Sequence, residues 1–182
     1  MASIPKVPEG KYPLIDSDPH ITRVVRFFRL SDYGYWLGMT AAAPLVVGLG
    51  DYNKYMSNTS TYKETYQALY YAIRSRKNIF GNWPAVFIGC VGGFLFAYAR
   101  SNARFLGFSE NSREVKKDMK EMRVRAKMGL PLYGTSSLRP ELQEVASSYS
   151  TMSFFNFAVI PMFNFVNHPY HGVDTSKYYG KN

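Results

Sequence analysis

Asp16, Asp18 and His20 fall within five positions, and Arg23, Arg26 and Arg29 follow at every third residue. Two carboxylates and an imidazole this close are residue types that can ligate a metal ion. His168 and His171, three positions apart, form a second pair with the same potential. Neither set is complete by itself. The first lacks a further spaced donor, and the second has no thiolate or carboxylate at a usual zinc spacing. Pro169 between the two histidines marks a loop. There is no HExxH, no GxSxG and no Gly-rich phosphate loop, each of which carries its own catalytic or nucleotide chemistry. The residues therefore point to a non-catalytic chain with no metal and no redox cofactor.

The same residues read better as a helix start. Asp18 can cap the open N–H groups of a first turn, and Pro19 suits the first helical position because it has no donor to leave unpaired. Over residues 19–30, Ile21, Val24, Val25 and Phe28 share one helical face while the three arginines share another. That pattern predicts an amphipathic helix lying in a membrane interface, its guanidinium groups meeting phosphates. Ser31 or Asp32 would then cap the next helix.

Two uncharged runs, Tyr33–Gly50 and Asn78–Ala99, match the roughly 20 apolar residues that cross a bilayer as a helix. Aromatics flank them, with Tyr33, Tyr35, Trp36, Tyr52 and Tyr55 around the first and Trp83 and Tyr98 in the second, as expected at head-group depth. Pro44 and Pro84 are tolerated in such helices. Neither run holds an Asp, Glu, Lys, Arg or His, which argues against a proton path built from this chain alone. Gly34, Gly38 and Ala42 recur every four residues in the first run and Gly89, Gly93 and Ala97 in the second. Such small-residue stripes let helices approach closely, either each other or foreign ones. Cys90 is the single cysteine, so no intrachain disulfide forms. The first run begins too late, behind too many acidic residues, for a secretory signal, and an Arg-rich transit peptide is not evident.

The fold class is thus all-α integral membrane: two transmembrane helices in a hairpin, amphipathic interfacial helices and a long polar C-terminal tail. The divisions are an extended arm and interfacial helix (1–32), a span (33–50), a connection with a tyrosine-faced helix following Thr61-x-x-Glu64 (51–78), and a second span (79–99). A basic helix (100–130) and a tail with an apolar segment too short to span (131–182) complete the chain. Residues 100–127 hold nine Lys/Arg against four Asp/Glu in a chain of net charge +9. Without a nucleic-acid motif, that charge suits anionic lipid or an acidic protein surface. Candidate head-group contacts are Arg23, Arg26, Arg29, Arg100, Arg104, Lys116, Lys117 and Lys120. A helix is expected from Ser112 to Lys127, with Val115, Met119, Met122 and Ala126 on one stripe and Gly129 and Pro131 ending it. Another should follow Pro140. Lys and Arg lie on both sides of the hairpin, somewhat richer toward the tail, which favours both termini on the positive-inside face of the membrane.

Residues 11–33, KYPLIDSDPHITRVVRFFRLSDY, resemble the N-terminal signature of the fungal accessory subunits of about 21 kDa in the membrane arm of mitochondrial respiratory complex I, and the chain's mass is 20.8 kDa. The matching positions are Tyr12 to His20, Arg23, Val24, Val25, Ser31, Asp32 and Tyr33. Leu30 departs from the pattern, which has a proline there. The resemblance implies a supernumerary subunit of the inner membrane, without redox cofactor, among core subunits that oxidise NADH, reduce quinone and pump protons. It further implies partners among the other membrane-arm subunits and contacts with phospholipid such as cardiolipin. A small mitochondrial translocase or channel component is the competing reading, but a pore predicts polar residues along one side of a span, and only Thr40, Asn82 and Cys90 interrupt the apolar faces. A membrane-bound lipid enzyme would need a catalytic set that the chain lacks.

Overall fold

A computed structural model of the chain describes residues 8–57, 83–153 and 163–180. Six helices occur among them: α1 (Ile21–Arg26), α2 (Leu30–Ser57), α3 (Trp83–Phe105), α4 (Ser112–Lys127), α5 (Pro140–Ser150) and α6 (Ser176–Tyr179). No β-strand is formed among the described residues, and His20 and Asn164 make an isolated parallel bridge. The tyrosine-faced helix expected after Thr61 and most of the short apolar segment before Phe163 lie outside the described residues. Two compact units divide the chain, one of Met1–Phe28 with Tyr98–Asn182 and the other of Arg29–Ala97.

The second unit is built on α2 and the first part of α3. Only α3, among the described helices, is both long and apolar enough to cross a membrane, with a mean hydropathy of 1.3 over its best window. α2 has the length, at 28 residues, but its apolar character rests on Ala and Gly more than on Leu, Ile and Phe. Asp32 is the capping residue at its start. It sits in the first turn and accepts from the Arg29 backbone N–H at 2.7 Å, as the acidic member of a capping box does. α3 fits α2 through glycine: a Cβ on Gly89 would stand 2.7 Å from the Ala43 Cβ, and one on Gly93 would stand 2.7 Å from the Trp36 carbonyl oxygen. The Trp36 indole donates to the Cys90 carbonyl at 2.9 Å and packs edge-on against Phe94.

The first unit gathers both ends of the chain. Its arm, residues 8–20, crosses the end of α3, where Tyr12 N–H donates to the Gly107 carbonyl at 3.0 Å and Ile15 N–H to that of Phe105 at 2.9 Å. Gly107 turns the helix off at φ +77°, with Phe108 N–H returning to the Ala103 carbonyl, the C-terminal motif in which glycine tolerates the left-handed conformation. α4 runs from Ser112 to Lys127 and closes in the same way at Gly129, and Pro140 opens α5, both as the sequence signals indicate. Met122, Leu132 and Tyr178 form a buried cluster with Met119, Ala126 and Tyr133 packed on it, which uses the expected stripe of α4. Phe27 and Phe105, both buried, meet at 5.1 Å between ring centroids.

Two expectations change here. The helix after Asp18 begins at Ile21, not Pro19, and is six residues long, with His20 at the cap accepting from Thr22 N–H. Val24, Phe27 and Phe28 on and after it are buried within the unit, as is Arg23; α1 therefore belongs to a protein core and is too short to form an interfacial amphipathic helix. Among its described residues the tail is likewise not free: Ser147, Thr151, Asn164, His168, His171 and Tyr178 are buried, and Asn164, His168 and His171 bond to the arm.

Candidate functional site

The arm turns sharply at Asp16, whose Oδ1 accepts from Asp18 N–H at 3.0 Å. This turn aims both carboxylates into the unit, where Asp16 is fully buried and Asp18 is 3% exposed. Asp16 receives the Arg23 guanidinium on Oδ2 and His171 Nδ1 on Oδ1 at 2.7 Å. The other end of the Arg23 fork donates to Asp118 of α4, and Asp118 also accepts from the Tyr178 hydroxyl at 2.8 Å. Asp18 faces His168 Nε2 at 2.9 Å and accepts from the Ser150 hydroxyl. Asn164 Nδ2 donates to the Asp18 carbonyl at 2.9 Å, and Ser17 N–H donates to that of His171 at 3.0 Å. The Tyr133 ring stacks on His171 at 3.5 Å.

The two imidazoles are held at both nitrogens. His171 Nδ1 faces Asp16, and its Nε2 lies 2.6 Å from the His168 carbonyl oxygen. In His168, Nδ1 accepts from Tyr170 N–H at 3.1 Å, while Nε2 lies 2.9 Å from Asp18 Oδ2 and 3.1 Å from Asn164 Nδ2. The two rings stack with 4.7 Å between centroids.

The carboxylates respond in opposite senses. Burial alone would raise the pKa of Asp16, but the charge and hydrogen bond of His171, and then Arg23, outweigh it and hold the group below its ordinary value. For Asp18, burial prevails over the bonds from His168 and Ser150, and the pKa is raised. Asp118 is likewise raised by burial, despite Arg23 and Tyr178. Among the described residues no group of three or more His, Cys, Asp and Glu side chains is arranged to hold a metal ion. Both oxygens of Asp16 and Oδ2 of Asp18 are already taken up by protein groups. Such a network fixes three chain segments to one another and holds protons, and it presents no activated nucleophile.

A family model described as NADH-ubiquinone oxidoreductase complex I, 21 kDa subunit, matches residues 9–110, and one for the C-terminal of that 21 kDa subunit matches residues 113–182. The chain belongs to the complex I 21 kDa subunit family. It is 44% identical over 182 residues to the NADH-ubiquinone oxidoreductase 20.9 kDa subunit of Neurospora crassa, covering 97% of this chain and 86% of that one. It is accordingly a subunit of an enzyme complex. Both matched regions of this complex I subunit meet at the network: Asp16, Asp18 and Arg23 come from the first, and Asp118, His168, His171 and Tyr178 from the second.

The candidate residues from the sequence are placed as follows. Arg23 and Arg104 are buried, the first between Asp16 and Asp118 and the second with Nε 3.5 Å from Glu114. Arg26 is exposed and pairs with Glu121. Arg29 and Arg100 are half-buried, and Lys116 and Lys120 are exposed on α4. Lys117 donates to the Arg26 carbonyl at 2.7 Å, with its ammonium 4.1 Å from the centre of the Phe27 ring. Gly34, Gly38 and Ala42 are exposed, whereas Gly89, Gly93 and Ala97 are buried. Sequence reasoning considered Asp16, Asp18 and His20 as one incomplete set and His168 with His171 as another; His20 stays outside the network, its Nδ1 against Thr22. Each set supplies the partners the other lacked.

Proposed function

We propose that the chain is a non-catalytic accessory subunit of the membrane arm of mitochondrial complex I, held in the inner membrane by α3 and α2 with both termini in the matrix. It contributes to assembly or stability through helix packing, and binds no redox cofactor of its own. The observation that carries this reading is the outer face of α2: a Cβ on Gly34 or Gly38 would meet no atom within 4 Å. A close-approach surface left open in this way suits a helix from another subunit. Arg26, Lys116 and Lys120 remain at the surface for phospholipid head groups such as those of cardiolipin, with Arg29, Arg100 and Lys117 partly so. A C-terminal tag followed through mild-detergent extraction and a native gel stained for NADH dehydrogenase activity tests the reading. Comigration with the active band supports it; migration in a smaller, inactive oligomer would overturn it in favour of a translocase component.

A further inference from the structure

Beside the buried network the first unit holds a cavity of about 300 Å³ whose wall includes Arg23, Arg26, Arg125, His20 and His171. We propose that this cavity binds a phosphate ester group. The wall carries three guanidinium groups, those of Arg23, Arg26 and Arg125, against the carboxylates of Asp16 and Glu121. A third carboxylate, Asp118, lies behind Arg23. Among the lining side chains alone the guanidinium groups outnumber the carboxylates by one.

The donors also exceed what the protein uses. Arg23 is 7% exposed, yet its Nε–H has no hydrogen-bond partner, and a buried donor left so is costly. His20 Nδ1 is occupied by Thr22, whose hydroxyl lies 2.8 Å and backbone N–H 3.3 Å away, so Nε2 is the ring nitrogen left for a ligand. Arg125 makes only long bonds, of 3.4 and 3.3 Å, to the Pro131 and Leu132 carbonyls. A carboxylate has two oxygens, whereas a phosphate offers three or four to converging guanidinium forks. Glu121 now bridges Arg26 and Arg125, the latter at 3.6 Å, as an internal stand-in for the ligand. Met122, Leu132 and Tyr133 are also in the lining, beside Thr22 and Asn167, and suit the carbon part of an ester. The volume lies at the lower end of the ligand-pocket range, which fits one phosphorylated group of modest size better than a peptide.

The ester can be a soluble metabolite or a lipid head group. The full-length chain, purified in phosphate-free non-ionic detergent, would be titrated calorimetrically with glycerol 3-phosphate. The same titration with short-chain phosphatidic acid in the micelles, against short-chain phosphatidylcholine, reads the lipid source. Saturable one-to-one binding of either phosphate ester is expected. Arg26→Gln and Arg125→Gln should each weaken it about tenfold, and Glu121→Gln should strengthen it severalfold. Binding of glycerol 3-phosphate would assign a soluble ligand, and binding of phosphatidic acid alone a lipid. Binding of neither, or affinity unchanged in both Arg125→Gln and Glu121→Gln, would overturn the proposal. Because the glycerol 3-phosphate arm needs no membrane arm around the chain, its outcome is separate from that of the native gel.

Discussion

His171 Nδ1 lies 2.7 Å from Asp16 Oδ1 across 155 residues of sequence, and the pair joins the beginning and end of the chain into one buried electrostatic unit. Arg23 extends it to α4 through Asp118. Breaking a buried pair by removing one partner is strongly destabilising, because the remaining charge stays desolvated.

Asp16→Asn should therefore lower stability at neutral pH by about 3–5 kcal/mol. The folded pKa of Asp16 lies below the ordinary 3.8, so its contribution is complete above that value and is lost as pH falls through the folded pKa. Asp18 and Asp118, raised by burial, bind protons more readily folded than unfolded, and oppose stability as pH rises above the ordinary value. Melting temperatures of parent and variant in detergent should differ by a constant amount from about pH 7 to 5 and converge only below about 4. A gap that closes near neutrality would contradict the assignment of Asp16 as an ionised partner.

Gly107→Ala should cost more than Gly129→Ala. Both glycines have positive φ, and a Cβ at Gly107 would come 2.3 Å from the Tyr12 carbonyl oxygen, whereas at Gly129 it would meet nothing within 4 Å. The second change carries only the conformational penalty of about 1–2 kcal/mol; the first adds displacement of the arm. Thermal denaturation of the two variants measures the difference, and equal losses would show that the arm yields freely.

Gly38→Leu should leave the chain's own melting unchanged but reduce its retention in the complex, since the site faces outward. Gly93→Leu should disturb the α2–α3 contact itself and lower both. Native gels and melting curves read these separately, and full retention of Gly38→Leu would remove the outer face of α2 as a partner surface.

What the sequence revealed was local. Gly129, Pro131 and Pro140 act within a turn or two of their own position, so the end of α4 and the start of α5 were readable directly. Asp18 was misread as a cap because the same carboxylate chemistry serves a helix start and a buried ion pair equally well. The choice between them was made by His168, 150 residues on, which no local periodicity can reach. Arg23 shows the same limit: its place on a three-residue beat suggests a surface, while Asp16 and Asp118 draw it inside.

The crossing of the arm over the end of α3 also orders events in time. A ribosome releases Asp16 and Asp18 first, but His168 and His171 follow only 150 or more residues later. Until then the two aspartates must stay hydrated or held by another protein. Closing a loop of that length is a late, entropically slow event, so a nascent chain cut short before the histidines leaves the arm unlatched and exposes an unfinished copy to proteolysis before it can be built into an enzyme.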